Sequence, residues 1–261
     1  MAIDTTIQDG VLSLRFARPE KKNAITAAMY ASLAAALRAA ASDESVRAIV
    51  IAGSPGVFTA GNDLGDFLEN PPADLDQPVV HFMDAFVDLD KPVIAAVTGH
   101  AVGIGVTLLL HCDLAYLAEG AILTMPFVAL GLVPEFGSTT LLPQRIGHAR
   151  AAERLLLGEP ISAADALGCG LVNAVLPPAE VVPRAMQAAA RLRALPADAV
   201  QTAKRLLREP QRETTRRAIR AEFEVFVERL RSPDTRAALR AFFERRATHP
   251  PGGLQPSADR R

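Results

Sequence analysis

Cysteine is nearly absent from this chain: Cys112 and Cys169 are the only two in 261 residues. Two such residues make neither a zinc pattern nor a disulfide framework. A reducing, cytoplasmic compartment is therefore expected. A surplus of charge is lacking too. The formal net charge is −1, with acids and bases mixed along the sequence, so no basic field points to nucleic acid. The opening Met1-Ala2-Ile3-Asp4-Thr5-Thr6 has no basic or apolar region of a signal peptide, and the last residues are not of the peroxisomal Ser-Lys-Leu kind. No ligands cluster at metal spacing. His100 and His111 stand apart from other donors, so structural roles and no metal are expected. Residues 92–118 come nearest to a membrane span, but Thr98, Gly99, His100, Gly103, Gly105, Thr107 and His111 interrupt them. A buried strand, a loop and a buried helix explain that stretch better, and no membrane is expected.

What is present is apolar residue, 49% of the chain, enough for a sizeable core. Residues 12–16 alternate as a half-buried strand. Residues 18–23 read as a turn, and Thr26 is placed to cap a helix running to about residue 41. Residues 46–52 and 92–98 are short and apolar, as expected of strands buried on both faces. Residues 58–64 form a loop leading into a helix, with Asn62 or Asp63 as its cap. Helices are expected over 78–89, 106–111, 150–157 and 162–167, the last two closed by Gly158 and Gly168. Strands are expected near 113–117, 122–124 and 171–176. From residue 196 the texture turns to Arg- and Glu-rich amphipathic helices over 197–208, 212–230 and 233–246. Two regions follow: an α/β core over 1–195 and a helical region over 196–261, suited to oligomer contacts and ending in a proline- and glycine-rich tail.

Glu135 is the carboxylate of the most apolar third of the chain, in Gly131-Leu132-Val133-Pro134-Glu135-Phe136-Gly137-Ser138. Apolar neighbours disfavour a carboxyl group's charged form and raise its pKa, which suits proton transfer to and from carbon. Upstream, Gly99-His100-Ala101-Val102-Gly103-Ile104-Gly105-Val106-Thr107 is a glycine-rich turn opening a helix. Such a turn presents backbone N–H groups to a developing negative charge. From the residues alone, a Glu after proline is usually a surface turn residue or an N-cap neighbour, and the glycines can serve only close backbone packing.

Three segments in matching order and spacing resemble the crotonase (enoyl-CoA hydratase/isomerase) superfamily. They are Phe58-Thr59-Ala60-Gly61-Asn62-Asp63-Leu64, the stretch 91–105 beginning Lys91-Pro92-Val93, and residues 131–147. The resemblance implies a crotonase-type α/β spiral core of repeated ββα units, an acyl-CoA thioester substrate with CoA as part of it, no separate cofactor, and a homotrimer or hexamer. Hydratases of the superfamily carry two glutamates where this chain has Thr107 and Phe127. A glutamate stands instead at Glu135, an arrangement similar to the peroxisomal-type Δ3,Δ2-enoyl-CoA isomerases. The reaction so implied takes 3-enoyl-CoA to trans-2-enoyl-CoA, with Glu135 shuttling the proton and the N–H groups of Ala60 and Ile104 as oxyanion donors. The resemblance places Ala60, Gly61, Asn62, Asp63, Leu64, Ile104 and Phe127 against the thioester, and opens a CoA-phosphate role for Lys21 and Lys22. Phe67, Leu68, Phe82, Phe86, Phe127 and Phe136 are the expected acyl-pocket lining. Cys112 is expected to be inert and buried, and Asp113 to end a helix or bond a turn. A hydratase or other crotonase-type thioester reaction, and an acyl-CoA-binding protein without catalysis, remain the alternatives.

Overall fold

A computed structural model describes residues 2–72 and 74–248; the expected tail lies outside them. In chain order the first half runs β1 (Ile3–Gln8), β2 (Val11–Phe16), α1 (Ala27–Ser42), β3 (Ala48–Ala52), β4 (Gly56–Thr59), α2 (Leu64–Glu69), α3 (Pro78–Asp88), β5 (Val93–Val97), β6 (Gly99–Val102) and α4 (Ile104–Thr107). The second half runs β7 (Leu114–Ala118), β8 (Ile122–Thr124), α5 (Ser138–Ile146), α6 (His148–Ala152), β9 (Ile161–Ser162), α7 (Ala163–Gly168), β10 (Ala174–Leu176), α8 (Pro178–Arg193), α9 (Ala197–Arg231) and α10 (Pro233–Thr248).

The strands form two sheets, ordered β1-β2-β3-β5-β7-β10 and β4-β6-β8-β9. Each of the pairs β3/β4, β5/β6 and β7/β8 places its first strand in the larger sheet and its second in the smaller one. That repetition winds the chain into the expected spiral of ββα units. The sheets are parallel except at β1–β2 and β8–β9. Strands β3 and β5 are buried at every position and flanked by parallel neighbours, which is why they read as unbroken apolar runs. Helix α1 begins where expected: Thr26 Oγ1 accepts from Met29 N–H at 3.3 Å, a cap worth ~1 kcal/mol.

The C-terminal region departs from expectation. Residues 197–208 and 212–230 are one helix, α9, continuing through Pro210. Proline removes a backbone donor and usually breaks a helix, so tertiary contacts hold this one. Arg208, Arg212, Arg216 and Arg220 repeat every four residues and share one face. They pair with Asp113, Asp90, Asp88 and Asp84, the last two on α3. Lys204 adds bonds to Asp113 and to the Lys91 carbonyl. Gly168 lies inside α7, and the left-handed turn after it belongs to Gly170 (φ +74°). Strand β1 and helix α8 carry no expectation: β1 is an edge strand buried only at Ile3, and α8 packs across β3, β5 and β7.

Candidate active site

The loop after β4 is sewn to the turn before α1. Asn23 is fully buried, and its side-chain amide donates to the carbonyls of Val57 and Phe58. Thr59 Oγ1 donates to Asn23 O at 2.6 Å, and Ala60 N–H to Lys22 O at 2.9 Å. Ile25 N–H donates to Gly61 O, and Asp63 N–H to Ile25 O, both at 2.8 Å. These last two bonds make Ile25 and Asn62 a parallel bridge. In such a bridge the Asn62 N–H faces away from Ile25, and no acceptor takes it among the described residues.

This arrangement corrects the first oxyanion assignment. The Ala60 N–H is consumed by Lys22, whereas Asn62, two residues on, has the free donor. The second residue so assigned is Ile104. Gly103 adopts φ +54° and ψ −118° as the N-cap of α4, a conformation open to glycine. The Gly103 N–H goes to Thr124 O, and the Ile104 N–H opens the helix without an acceptor among the described residues. Gly105 lets α4 approach β4, since a Cβ there would meet Thr59 Cγ2 at 2.5 Å. A cavity of about 200 Å³ is lined by Ala60, Gly61, Asn62, Leu64, Gly103, Ile104, Phe127, Leu132, Phe226 and Phe242, among others.

Asp63 is a scaffold residue. It caps α2 through Gly65 N–H and Asp66 N–H and pairs with Arg18 at 2.6 Å, leaving its carboxylate committed within the protein. Lys21 and Lys22 are exposed beside this loop.

Glu135 is 5% exposed. Its Oε1 accepts from Thr107 Oγ1 at 2.6 Å, while its buried Oε2 has no partner. Burial pushes its pKa up to about 8, the Thr107 hydroxyl pulling down and the charge of Glu222 pushing up. Glu135 lines a small apolar cavity with Asn62, Phe67, Pro72, Val79, Met83, Phe223 and Phe226. Asn62 and Phe226 border both cavities, so the two cavities adjoin at these residues. Helix α9, from the region assigned to oligomer contacts, supplies Phe223 and Phe226 within the same chain. Tyr30, fully buried, donates to Asn62 Oδ1 and fixes that side chain.

The expected acyl lining is met only in part. Phe67 and Phe127 line the cavities, and Phe67 meets Phe226 edge-on with centroids 6.2 Å apart. Leu68 is exposed. Phe82 and Phe86, on the core-facing side of α3, form a closed aromatic cluster with His111 and with Phe136 from the loop before α5. His111 is held neutral by burial, its pKa pushed down to about 3, and it donates to Phe136 O at 2.7 Å. Burial pushes the Cys112 thiol up to about 12. Asp113 accepts from Val93 N–H at 2.7 Å, fixing the start of β5. No group of three potential metal ligands occurs among the described residues, and no helix there is long and apolar enough to cross a membrane. A larger polar cavity, about 350 Å³, between α5 and α9 is lined by Arg145, Arg208 and Arg212. Those arginines bond Leu110 O, His111 O, Asp113 and Asp90, and Glu135 does not border it.

Fold and site together define a class: α/β spiral proteins with unspent backbone donors and a buried acid lining adjoining cavities. The model of the enoyl-CoA hydratase/isomerase family matches residues 6–250, and the chain belongs to that family. It is 33% identical to human enoyl-CoA delta isomerase 2 over 93% of this chain and 63% of the human protein, so it spans less than two thirds of that relative. It is also 33% identical to 2,3-dehydroadipyl-CoA hydratase of Escherichia coli K12, over 92% of this chain and 94% of that one. The solved structure of Pseudomonas aeruginosa OdaA superposes with a TM-score of 0.90 at 49% identity, covering 92% of this chain and 98% of that one. The crotonase fold is the fold observed.

Proposed function

We propose that this chain isomerises 3-enoyl-CoA thioesters to trans-2-enoyl-CoA, with Glu135 carrying one proton from C2 to C4. The observation that carries this reading is the single acid: Glu135 is the only carboxylate among the described residues lining the two cavities. Adding water needs a water held and deprotonated and a proton delivered to carbon, which the family's hydratases divide between two acids. Thr107 and Phe127 stand at those positions here.

In the proposed reaction the thioester oxygen sits between the N–H groups of Asn62 and Ile104. Glu135 Oε2 takes the C2 proton, the C–H pair becomes the C1–C2 double bond, and the carbonyl pair moves onto oxygen. Each backbone donor stabilises that oxyanion by ~3 kcal/mol. The dienolate then re-forms the carbonyl. Its electrons settle as a C2–C3 double bond, C4 takes the proton, and Glu135 is regenerated. A pKa near neutrality serves both transfers, since the group must accept and release one proton. The Thr107 bond holds Oε1 and leaves Oε2 to swing between C2 and C4. CoA enters as part of the substrate.

Hydration is the second reading, supported by the equal identity to the E. coli hydratase. Purified protein is given 3-hexenoyl-CoA and, separately, crotonyl-CoA, following gain and loss of the conjugated thioester. Conjugation without hydration upholds isomerisation. Hydration without conjugation overturns it, and turnover of neither leaves acyl-CoA binding without catalysis.

A further inference from the structure

We propose that Glu222 on α9 is a positioning residue for the reaction, locking the strained backbone that aims Glu135 at the acyl cavity. The proposal rests on the reading of Glu135 as the base.

The residue after Glu135 is Phe136, with φ +58°, followed by Gly137 at φ +72°. A bulky residue in the left-handed region is strained and persists only where its surroundings impose it. The imposing contacts are few and specific. Glu222 Oε2 accepts from Gly137 N–H at 2.5 Å. Glu222 Oε1 accepts from Thr139 N–H at 2.9 Å and Thr139 Oγ1 at 2.5 Å. His111 holds the Phe136 carbonyl from the other side and stacks on the Phe136 ring at 3.8 Å between centroids.

Glu222 is 7% exposed, and among the described residues no Lys, Arg or His forms an ion pair with it. A buried carboxylate is costly unless hydrogen bonds compensate it, and here every compensating bond comes from the start of α5. The far end of the same segment is held from the same region: Arg229 Nε and Thr235 Oγ1 donate to Gly131 O at 3.0 and 2.7 Å. The C-terminal helices thus hold both ends of the segment that bears the base, and Glu222 grips the end nearer to it.

A carboxylate that only stabilised α5 would affect folding and leave the chemistry of the folded fraction alone. A positioning carboxylate moves kcat without KM. It also moves the pH profile, because the Glu222 charge is one of the influences that set the proton affinity of Glu135. The groups facing Glu135 are Thr107 from α4, Tyr30 from α1 and Glu222 from α9; of these Glu222 is the only second carboxyl group, its own pKa raised by burial against the pull of the Thr139 and Gly137 bonds.

The test compares Glu222→Gln, Glu222→Asp and Thr139→Val with the parent chain and Glu135→Gln, reading kcat, KM, melting temperature and the acid limb of kcat/KM. Glu222→Gln keeps one acceptor and turns an amide N–H toward a donor. The expected result is a kcat lowered about 10- to 100-fold, KM within about threefold, and an acid limb displaced to lower pH. Glu222→Asp keeps the charge, so its limb stays in place while kcat recovers in part. Thr139→Val, which removes one bond at an exposed residue, lowers kcat severalfold and decides the matter if Glu222→Gln does not fold. An unchanged kcat and unmoved limb in folded Glu222→Gln, or an unchanged kcat in Thr139→Val, overturns the proposal. If Glu135→Gln itself turns over normally, the base reading falls and the proposal with it. An inactive Glu135→Gln beside a fully active Glu222→Gln removes the proposal alone.

Discussion

The two halves of the site are built on different principles. The proposed oxyanion half is made of backbone: the N–H groups of Asn62 and Ile104 take no acceptor among the described residues, while those of Ala60, Gly61, Asp63 and Gly103 are spent. The base half is made of side chains, with Thr107, His111 and Glu222 gripping Glu135 and the two residues after it. A backbone site tolerates varied side chains but depends on the path of the chain. A side-chain site depends on particular groups, some of them far away in sequence.

The largest expected effect falls on the base half. Glu135→Gln should lower turnover ~10³-fold or more with binding of the CoA ester nearly unchanged, measured by steady-state kinetics and titration calorimetry. Near-normal turnover would remove Glu135 from the mechanism. The same substitution has a sign in stability. The folded-state pKa of Glu135 is raised to about 8 by burial, above the ~4.3 of an unfolded Glu. Its penalty is absent below the unfolded value and grows as pH rises through the folded one. Glu135→Gln should therefore melt several degrees higher than the parent at pH 9 and at about the same temperature at pH 4. Equal shifts at both pH values would contradict the buried, uncompensated carboxylate.

Thr107→Val keeps shape and removes the hydroxyl that favours ionised Glu135. The parent's kcat/KM should rise with pH to a plateau above about 8. The variant's rise should move to still higher pH, lowering activity at pH 7 about tenfold, or ~1.4 kcal/mol. A rise at unchanged pH would mean that Thr107 does not govern the titration.

On the backbone half the expected change is smaller. Asn62→Ala keeps the N–H and should retain turnover within about tenfold, the residual loss reflecting the Tyr30 contact. A loss as large as that of Glu135→Gln would move the Asn62 side chain into the chemistry and erase the contrast between the halves. Smallest of all, Arg216→Ala breaks a largely exposed pair with Asp88 and should change unfolding free energy by no more than ~1 kcal/mol. A greater loss in denaturant melts would show that the α3–α9 ladder acts as a network.

The glycine turn and Glu135 were legible because both depend on local pattern: positive φ needs glycine, and an acid in an apolar stretch stands out. The Ala60 donor assignment failed because the sequence does not record which amides the loop consumes. Ala60 and Asn62 look equally available until Lys22 and Ile25 are placed beside them. Phe82, Phe86 and Phe136 looked like pocket lining because aromatic residues near a site read alike, whereas α3 turns Phe82 and Phe86 inward and Phe136 packs on them.

Local pattern by itself determined the strands buried on both faces, the Thr26 cap, the glycine turn and the acid, since propensity, periodicity and backbone sterics act over a few residues. The tertiary structure alone decided that α9 runs on through Pro210, that Asn62 rather than Ala60 has the free donor, and that Glu222 reaches the backbone beside Glu135. Each of these depends on groups distant in the chain meeting in a dry interior, where an unpaired N–H or carboxylate is too costly to leave without a partner or a purpose.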